Sequence, residues 1–166
     1  MRKVCVYLSN DLVDEKGNVD PFFSLEKEWL LSHFDAVYVV CYRGYGKLDS
    51  GAPKLCRRGL AQARAWLRAP FCAAYRVEKR RLKADGKASL TGRIKLLLFT
   101  VRGLKMHLWA ERVLRSLELP ETTLYSFWLS YDGFAAALCK VARRTGVPVQ
   151  IVADHGSDLH KGITLF

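Results

Sequence analysis

The chain has 166 residues and a mass of 18.9 kDa, which is the size of one ordinary domain. Half of the residues are hydrophobic and about a quarter are charged, and this composition excludes an intrinsically disordered chain. No apolar run approaches the ~20 residues that span a bilayer, and the formal net charge of +11 indicates a polyanionic partner.

The beginning of the chain predicts a β-α-β unit. Residues 3–8 form a short apolar strand, and residues 36–42 form the clearest strand of the chain. Between them, apolar residues near helical spacing predict a helix that begins at Ser24 as its N-cap and ends at Phe34. Strand, helix and strand in this order imply two parallel strands joined by a right-handed crossover.

The middle of the chain is predicted to be a basic module. Residues 54–115 contain 17 Lys or Arg and three acids, a balance of +14, whereas the rest of the chain contains 10 Lys or Arg and 13 acids. Residues 43–58 are predicted to be a loop, because glycines and a proline cluster there. A helix is then expected over residues 57–67, ending before Pro70.

Two further helical stretches complete the basic module. The first carries four cations at i, i+3, i+4 and i+7, and Gly86 separates it from the second. The second covers residues 93–117 and is interrupted by Gly103, and a strand over residues 96–101 is the alternative that the pattern leaves open.

The cations of this module form two rows, which exceed what solubility requires. An anionic membrane fits them, because Lys and Arg near a lipid surface contribute ~1 kcal/mol each while aromatic and aliphatic side chains enter the interface. Nucleic acid is the competing partner, but no helix-turn-helix, zinc finger or RNP motif is present. The predicted membrane- or anion-binding residues are Arg57, Arg64, Arg68, Arg76, Lys79, Arg80 and Lys83. The side chains predicted to enter the interface are Trp66, Phe71, Tyr75, Phe99 and Trp109, and Leu60, Trp66 and Leu67 are placed on the far side of their helix from the arginines.

The last part of the chain predicts strand, polar loop, helix, strand and polar loop. The strands cover residues 123–127 and 147–153, and the helix between them begins at Asp132, extends through Arg144 and is closed by Gly146. In an open α/β sheet, ligands bind beyond the carboxyl ends of the strands. A site is therefore expected among the polar residues that follow these two strands.

The cysteines predict a reducing environment. Their number is odd, and no two of them form a C-x-x-C pair, so neither disulfides nor a zinc site are expected. The residues expected to be buried thiols are Cys5, Cys41 and Cys139.

Three motifs in the last part of the chain carry a resemblance to a known family. Tyr125-Ser-Phe-Trp-Leu129, the Ala135-Ala-Ala-Leu138 helix and His155-Gly-Ser-Asp-Leu159 follow each other in this order. Together they resemble the N-terminal domain of retaining, nucleotide-sugar-dependent GT-B glycosyltransferases, above all bacterial enzymes that build surface polysaccharides. The resemblance implies an α/β fold with a Rossmann-like parallel sheet flanked by helices, which is half of a GT-B fold. It also implies that residues 1–166 form a single domain that is incomplete at its C-terminus.

The resemblance further implies an activity and its residues. The chain would be the acceptor-binding domain of a membrane-associated enzyme that transfers a sugar from a nucleotide-sugar donor to a polysaccharide or lipid-linked acceptor, without a metal or other cofactor. The missing half, as a further domain or a partner chain, would hold the nucleotide, so this chain alone is expected to transfer no sugar. The implied location is cytoplasmic, on the inner face of the cell membrane. His155 is the implied catalytic residue, and the implied sugar-binding residues are Asn10, Trp128, Tyr131, Asp132, Gly156 and Asp158.

Structural roles for these residues remain open alternatives. Asn10 fits an Asx-turn, and Asp158 fits a helix N-cap. The aromatic residues beside Asp132 also fit an ordinary helix start with a hydrophobic staple. The alternative function is a non-catalytic module of the same fold that binds anionic lipid, polysaccharide or nucleic acid through its basic helices. An NAD- or ATP-dependent enzyme is disfavoured, because no G-x-G-x-x-G or Gly-rich Lys-Ser/Thr loop is present.

Overall fold

The computed structural model of the chain describes residues 3–10, 12, 19–49, 55–56, 59–117, 122–126, 130–143 and 149–151. The elements are β1 (Val4–Leu8), α1 (Pro21–His33), β2 (Ala36–Cys41), β3 (Gly44–Leu48), α2 (Leu60–Arg68), a single 3₁₀ turn (Ala69–Phe71), α3 (Ala73–Ala84), α4 (Leu90–Leu114), β4 (Thr122–Ser126), α5 (Tyr131–Arg143) and β5 (Val149–Ile151).

The strands form one five-stranded sheet in the order β3-β2-β1-β4-β5. β1 is parallel to both of its neighbours, β2 and β4, and β5 is parallel to β4. Since the chain leaves β1 toward one side of the sheet and β4 lies on the other side, the carboxyl edge between β1 and β4 is a topological switch point. The predicted α/β, Rossmann-like fold is confirmed.

The edge strand β3 corrects the predicted loop over residues 43–58. It runs antiparallel to β2, so the sheet is mixed rather than wholly parallel. Gly44, one of the glycines that favoured a loop, lets the backbone of β3 lie close to the backbone of Cys56. A Cβ at this position would be 2.8 Å from the carbonyl oxygen of Cys56. Cys56 forms an isolated bridge with Tyr45, which extends this edge by one further contact.

The two faces of the sheet carry separate parts of the core. Side chains alternate along β1, so Cys5 and Tyr7 face α1, whereas Val6 and Leu8 face α4 and α5. Helices on both faces explain why the central strands are apolar throughout. The three thiols predicted to be buried are fully buried. None of the five cysteines forms a disulfide.

Helix α1 begins four residues before the predicted start. Asp20, not Ser24, is its N-cap, because the Oδ1 atom of Asp20 accepts hydrogen bonds from the backbone N–H groups of Phe22 (2.8 Å) and Phe23 (3.1 Å). Pro21 at the first helical position adds to the same signal, since its fixed φ suits a helix start. Ser24 lies inside the helix, where its hydroxyl donates to the carbonyl oxygen of Asp20.

Helix α4 is one continuous 25-residue helix, about 37 Å long at ~1.5 Å per residue. The predicted interruption at Gly103 and the alternative strand over residues 96–101 are both wrong. Gly103 is buried where α4 crosses α5, so the glycine serves packing between helices and not a break in one. The helix runs antiparallel to the central strands: Lys105 lies over Tyr42, after the end of β2, and Arg112 shares a shallow pocket with Tyr38, near its start.

The amino-terminal half of α4 therefore extends past the carboxyl edge of the sheet and joins α2 and α3. We call residues 59–99 the helical module. Helix α2 packs through Ala61, Ala65 and the following Ala69, and Gly86, with φ of 67°, supplies the left-handed turn between α3 and α4. The module lies between the second and third predicted strands, as the sequence pattern predicts. None of the helices in the described part of the chain combines the length and hydropathy that crossing a bilayer requires.

One thiol and two phenols, those of Cys5, Tyr7 and Tyr125, lie buried on the α1 face of the sheet. Tyr7 and Tyr125 are register partners whose rings stack with centroids 5.5 Å apart, and the Tyr125 hydroxyl donates a hydrogen bond to the Glu26 carboxylate. Burial, with the negative charge of Glu26 added, raises the pKa of Cys5 to about 12. Burial and the same carboxylate also raise the pKa values of both tyrosines well above their usual range.

This cluster predicts that the protein loses stability at alkaline pH. The folded state holds these three protons to a higher pH than the unfolded chain, whose groups titrate near 9.0 for Cys5 and 10.0 for the tyrosines. The stabilisation is therefore complete below pH 9.0 and declines as pH rises above it. We expect the urea midpoint to fall between pH 8 and about 11, and a Tyr7→Phe/Tyr125→Phe variant to show a smaller fall. Tyr38→Phe, on the other face, serves as the control, and an unchanged pH dependence in the double variant would contradict this assignment.

Candidate functional site

Three polar side chains meet at the switch point between β1 and β4. The register pairs Leu8 with Ser126, so the two strands end level at the same edge of the sheet. The hydroxyl of Ser130 lies 2.7 Å from Oδ1 of Asp132 and 3.1 Å from Oδ1 of Asn10. We call these residues, Asn10, Ser130 and Asp132, the switch-point cluster.

Within this cluster, Asp132 is the buried member and the other two are partly exposed. Asp132 lies in the first turn of α5, where the helix dipole favours a negative charge. The backbone carbonyl oxygen of Ser130 accepts a hydrogen bond from the N–H of Phe134 at 3.0 Å, which is the first of this helix. A hydroxyl has one proton, and the shorter contact gives it to the carboxylate. Asp132 therefore orients Ser130, and a ligand would reach Asn10 and Ser130.

Two cations on α4 lie beside the switch-point cluster. The guanidinium carbon of Arg102 is 5.5 Å from the ring centroid of Tyr42 and 5.6 Å from that of Tyr131. Lys105 Nζ is 4.0 Å from the Tyr42 ring and 4.8 Å from the Trp109 ring. These distances are typical of cation–π contacts, which hold both charges in place. We call Tyr42, Arg102, Lys105 and Tyr131 the cation–tyrosine cluster.

The two clusters are joined through the backbone. Tyr42 follows β2 and donates its N–H to the carbonyl oxygen of Asn10 at 3.0 Å. Tyr131 lies between Ser130 and Asp132 in the chain, so its ring and the polar cluster share the start of α5. A hydroxyl, an amide, a carboxylate, two phenol rings and two cations thus converge at the edge where open α/β sheets bind ligands, and together they form the candidate site.

The structure brings together three of the sequence-predicted sugar-binding residues, Asn10, Tyr131 and Asp132. The remaining predicted site residues, Trp128, His155, Gly156 and Asp158, lie outside the described residues. The sequence reasoning missed the roles of Tyr42, Arg102 and Lys105. Two signals could have identified them: Tyr42 is the last residue of the clearest predicted strand, and the two cations have i, i+3 spacing.

The predicted cationic rows are exposed on the helical module. Arg57 lies outside the described residues, and the exposed cations are Arg64, Arg68, Arg76, Lys79, Arg80 and Lys83. Residues 59–99 contain ten Lys or Arg and two acids, a balance of +8. One of the acids, Glu78, pairs with Arg81 at 2.8 Å, and the four predicted cations of α3 remain at the surface around that pair.

The apolar side chains of the module are distributed differently from the prediction. Trp109 is 4% exposed and packs against Tyr45, so its predicted role at a membrane interface is wrong. Tyr75 and Phe99 are half-buried, whereas Trp66 and Phe71 are exposed as predicted. Leu60, Trp66 and Leu67, which are predicted to lie opposite the arginines of α2, are exposed and do not pack into the core. The buried side of α2 is formed by Ala61 and Ala65. The exposed apolar residues of the module are Leu60, Trp66, Leu67, Phe71, Val77, Leu90, Ile94 and Leu98.

One further group of side chains carries atoms that a metal ion could use. His107 and Glu111 are one turn apart on α4, and Cys139 faces them from α5; their ligand atoms lie within 4.8 Å of one another. His107 Nδ1 is 3.2 Å from Cys139 Sγ, so in this structure the pair forms a hydrogen-bonded contact between the helices. The group lies at the α4–α5 interface and does not include residues of the two clusters at the sheet edge.

Comparison of the chain with protein-family models, curated proteins and solved structures finds no match.

Proposed function

We propose that this chain is the acceptor-binding, Rossmann-like half of a membrane-associated glycosyltransferase. The reaction would transfer a sugar from a nucleotide-sugar donor to a polysaccharide or lipid-linked acceptor, and the family resemblance of residues 123–160 supplies this expectation. The observation that supports it best is the switch-point cluster, since Asn10, shortly after β1, and Ser130, directly before α5, meet at the edge where such sheets bind ligands.

The chemistry of the two clusters suits a sugar. Amide and hydroxyl groups exchange hydrogen bonds with sugar hydroxyls, and buried Asp132 holds the Ser130 hydroxyl in one orientation. The rings of Tyr42 and Tyr131 offer flat apolar surfaces against which the C–H face of a sugar can pack. His155 is proposed as the catalytic residue from the resemblance alone.

The position of the helical module supports a membrane-bound acceptor. The module extends from the same edge of the sheet that carries the switch-point cluster, and it exposes both cations and large apolar side chains. Cations attract anionic lipid head groups, and apolar side chains enter the interface between head groups and acyl chains. Binding through the module would therefore bring the site close to a lipid-linked sugar.

Replacing Ser130 with alanine should weaken acceptor binding about twofold to twelvefold, because a neutral hydrogen bond contributes about 0.5–1.5 kcal/mol. Binding is measured on an array of bacterial surface oligosaccharides and confirmed by saturation-transfer NMR for the glycans that bind. Ser116→Ala is the matched control, since Ser116 lies after α4 at the opposite edge of the sheet and its hydroxyl donates to the carbonyl oxygen of Val113.

The result that overturns the sugar site is equal glycan binding by Ser130→Ala and the unaltered protein, or no glycan binding by the unaltered protein. The second outcome, together with retained binding to anionic vesicles, would favour the other candidate function, a non-catalytic module that binds anionic lipid. That candidate is supported by the exposed cations and apolar residues of the helical module and needs no ligand at the switch point.

A further inference from the structure

We propose that Arg102 and Lys105 bind a diphosphate group, so that the ligand of the switch-point cluster is a phosphorylated one. The assignment of this group to a sugar ligand rests on the proposed function. The binding of diphosphate by these two side chains does not, and it can be tested by itself.

The two cations are arranged as a pair. They are three residues apart on α4, so their side chains leave the same face of the helix one turn apart. Both remain accessible, since Arg102 is exposed and Lys105 is half-buried. A guanidinium donates two parallel hydrogen bonds to phosphate oxygens and an ammonium acts as a point charge, and this combination suits the several oxygens of a diphosphate.

The aromatic rings prepare the pair for an anion. A free Lys or Arg side chain loses rotamer entropy when a ligand immobilises it. Here Arg102 lies over two tyrosine rings and Lys105 over Tyr42 and Trp109, so part of that ordering has occurred before binding. A cation–π contact engages the face of the ring, so the exposed guanidinium of Arg102 can also donate N–H groups to a further acceptor.

The location of the pair connects the diphosphate to the polar cluster. Tyr42 is hydrogen-bonded to Asn10, and Tyr131 adjoins Ser130, so an anion on Arg102 lies next to groups that can hydrogen-bond the rest of the ligand. The nearby carboxylate of Asp132 is buried and bonded to Ser130 in the first turn of α5, where the positive end of the helix dipole offsets its charge.

The test compares two double variants that remove the same charge from the same helix. Arg102→Gln/Lys105→Gln removes the proposed site, whereas Arg112→Gln/Arg115→Gln removes two exposed cations with the same i, i+3 spacing near the other end of α4. Binding of inorganic pyrophosphate is measured by isothermal titration calorimetry at low and moderate salt. We expect the first variant to bind at least about tenfold more weakly and the second to stay within about twofold of the unaltered protein, because charge-assisted hydrogen bonds are the stronger ones.

Equal losses in the two variants, or no pyrophosphate binding by the unaltered protein, would overturn the diphosphate site. A circular dichroism melt of each variant excludes unfolding as the cause. Pyrophosphate binding that depends on Arg102 and Lys105 while no glycan binds would retain the diphosphate site and reject the sugar function.

Two further ligands distinguish the source of the diphosphate. Geranyl diphosphate represents a lipid-linked acceptor, and uridine diphosphate represents the donor. The site is supported if either ligand binds more tightly than pyrophosphate and the Arg102→Gln/Lys105→Gln variant loses this binding. The ligand that binds more tightly then shows whether the diphosphate belongs to the acceptor or to the donor. If this variant binds both ligands as tightly as the unaltered protein does, the proposal is contradicted.

Discussion

Replacing the four predicted cations of α3 with glutamine should weaken binding to anionic vesicles about a thousandfold. Each cation near an anionic lipid surface contributes ~1 kcal/mol, so four contribute ~4 kcal/mol, and every 1.4 kcal/mol changes the binding constant about tenfold. The residues to replace are Arg76, Lys79, Arg80 and Lys83, all of which are exposed.

The measurement is co-sedimentation with vesicles of phosphatidylglycerol and phosphatidylcholine in equal parts, at two salt concentrations. A matched variant removes four exposed cations outside the helical module, so that the net charge changes equally. These control residues are Lys3, Lys47, Arg112 and Arg115. If both variants lose vesicle binding to the same extent, net charge and not the module is responsible, and the proposed membrane surface is wrong.

Substitution of the exposed apolar residues distinguishes between a membrane and nucleic acid as the partner of the helical module. Phe71 and Leu90 are 78% and 76% exposed, and both belong to the helical module. A lipid interface accepts such side chains, whereas a phosphate backbone gains little from them. Phe71→Ser/Leu90→Ser should therefore reduce vesicle binding and leave binding to double-stranded DNA unchanged. The opposite pattern would favour nucleic acid.

The second large effect is expected at Gly103, where alanine should destabilise the protein by about 2 kcal/mol, within the range of overpacked cores. In an exposed helix, the same change would stabilise by up to about 1 kcal/mol through helix propensity. Here an added Cβ would enter the ring of Phe134 and lie 3.2 Å from the carbonyl oxygen of Tyr131. Phe134 is 4% exposed, so its ring has little room to move away.

Urea unfolding of Gly103→Ala tests this expectation, and two further variants identify its cause. Thr91→Ala, at an exposed position of α4, should be neutral or slightly stabilising. Adding Phe134→Leu to Gly103→Ala should recover part of the loss, because the smaller side chain makes space for the new methyl group. A Gly103→Ala protein as stable as the unaltered one would show that α4 and α5 are not in the close contact described.

The same crossing positions the candidate site. Arg102 precedes Gly103 and lies over Tyr131, so the distance between α4 and α5 sets the distance between the cation pair and the switch-point cluster. We therefore expect any variant that separates these helices to weaken pyrophosphate binding as well. Stability and ligand binding are coupled at this position because one backbone contact serves both.

Local patterns in the sequence were sufficient to predict several structural features of this protein. Alternating or continuous apolar residues identified β1, β2 and β4, and the start of α5 at Asp132 was predicted within one residue. The burial of three cysteines and the exposure of the α3 cations also followed from their neighbours in the chain. Each of these features depends on contacts with residues a few positions away or on simple burial, and such information is local.

Other features depended on residues far apart in the chain. Gly44–Leu48 has a loop-like composition and becomes a strand because β2 pairs with it, and Gly103 continues a helix because α5 requires its small size. In the sequence, Arg102 is not distinguished from the other basic residues of the middle of the chain. The fold places it between Tyr42 and Tyr131, which lie 60 and 29 positions away from it in the sequence. The amino-acid sequence by itself determined the fold class and the basic middle of the chain. Only the tertiary structure decided which cations adjoin the polar site, because that choice is made by the packing of helices against the edge of the sheet.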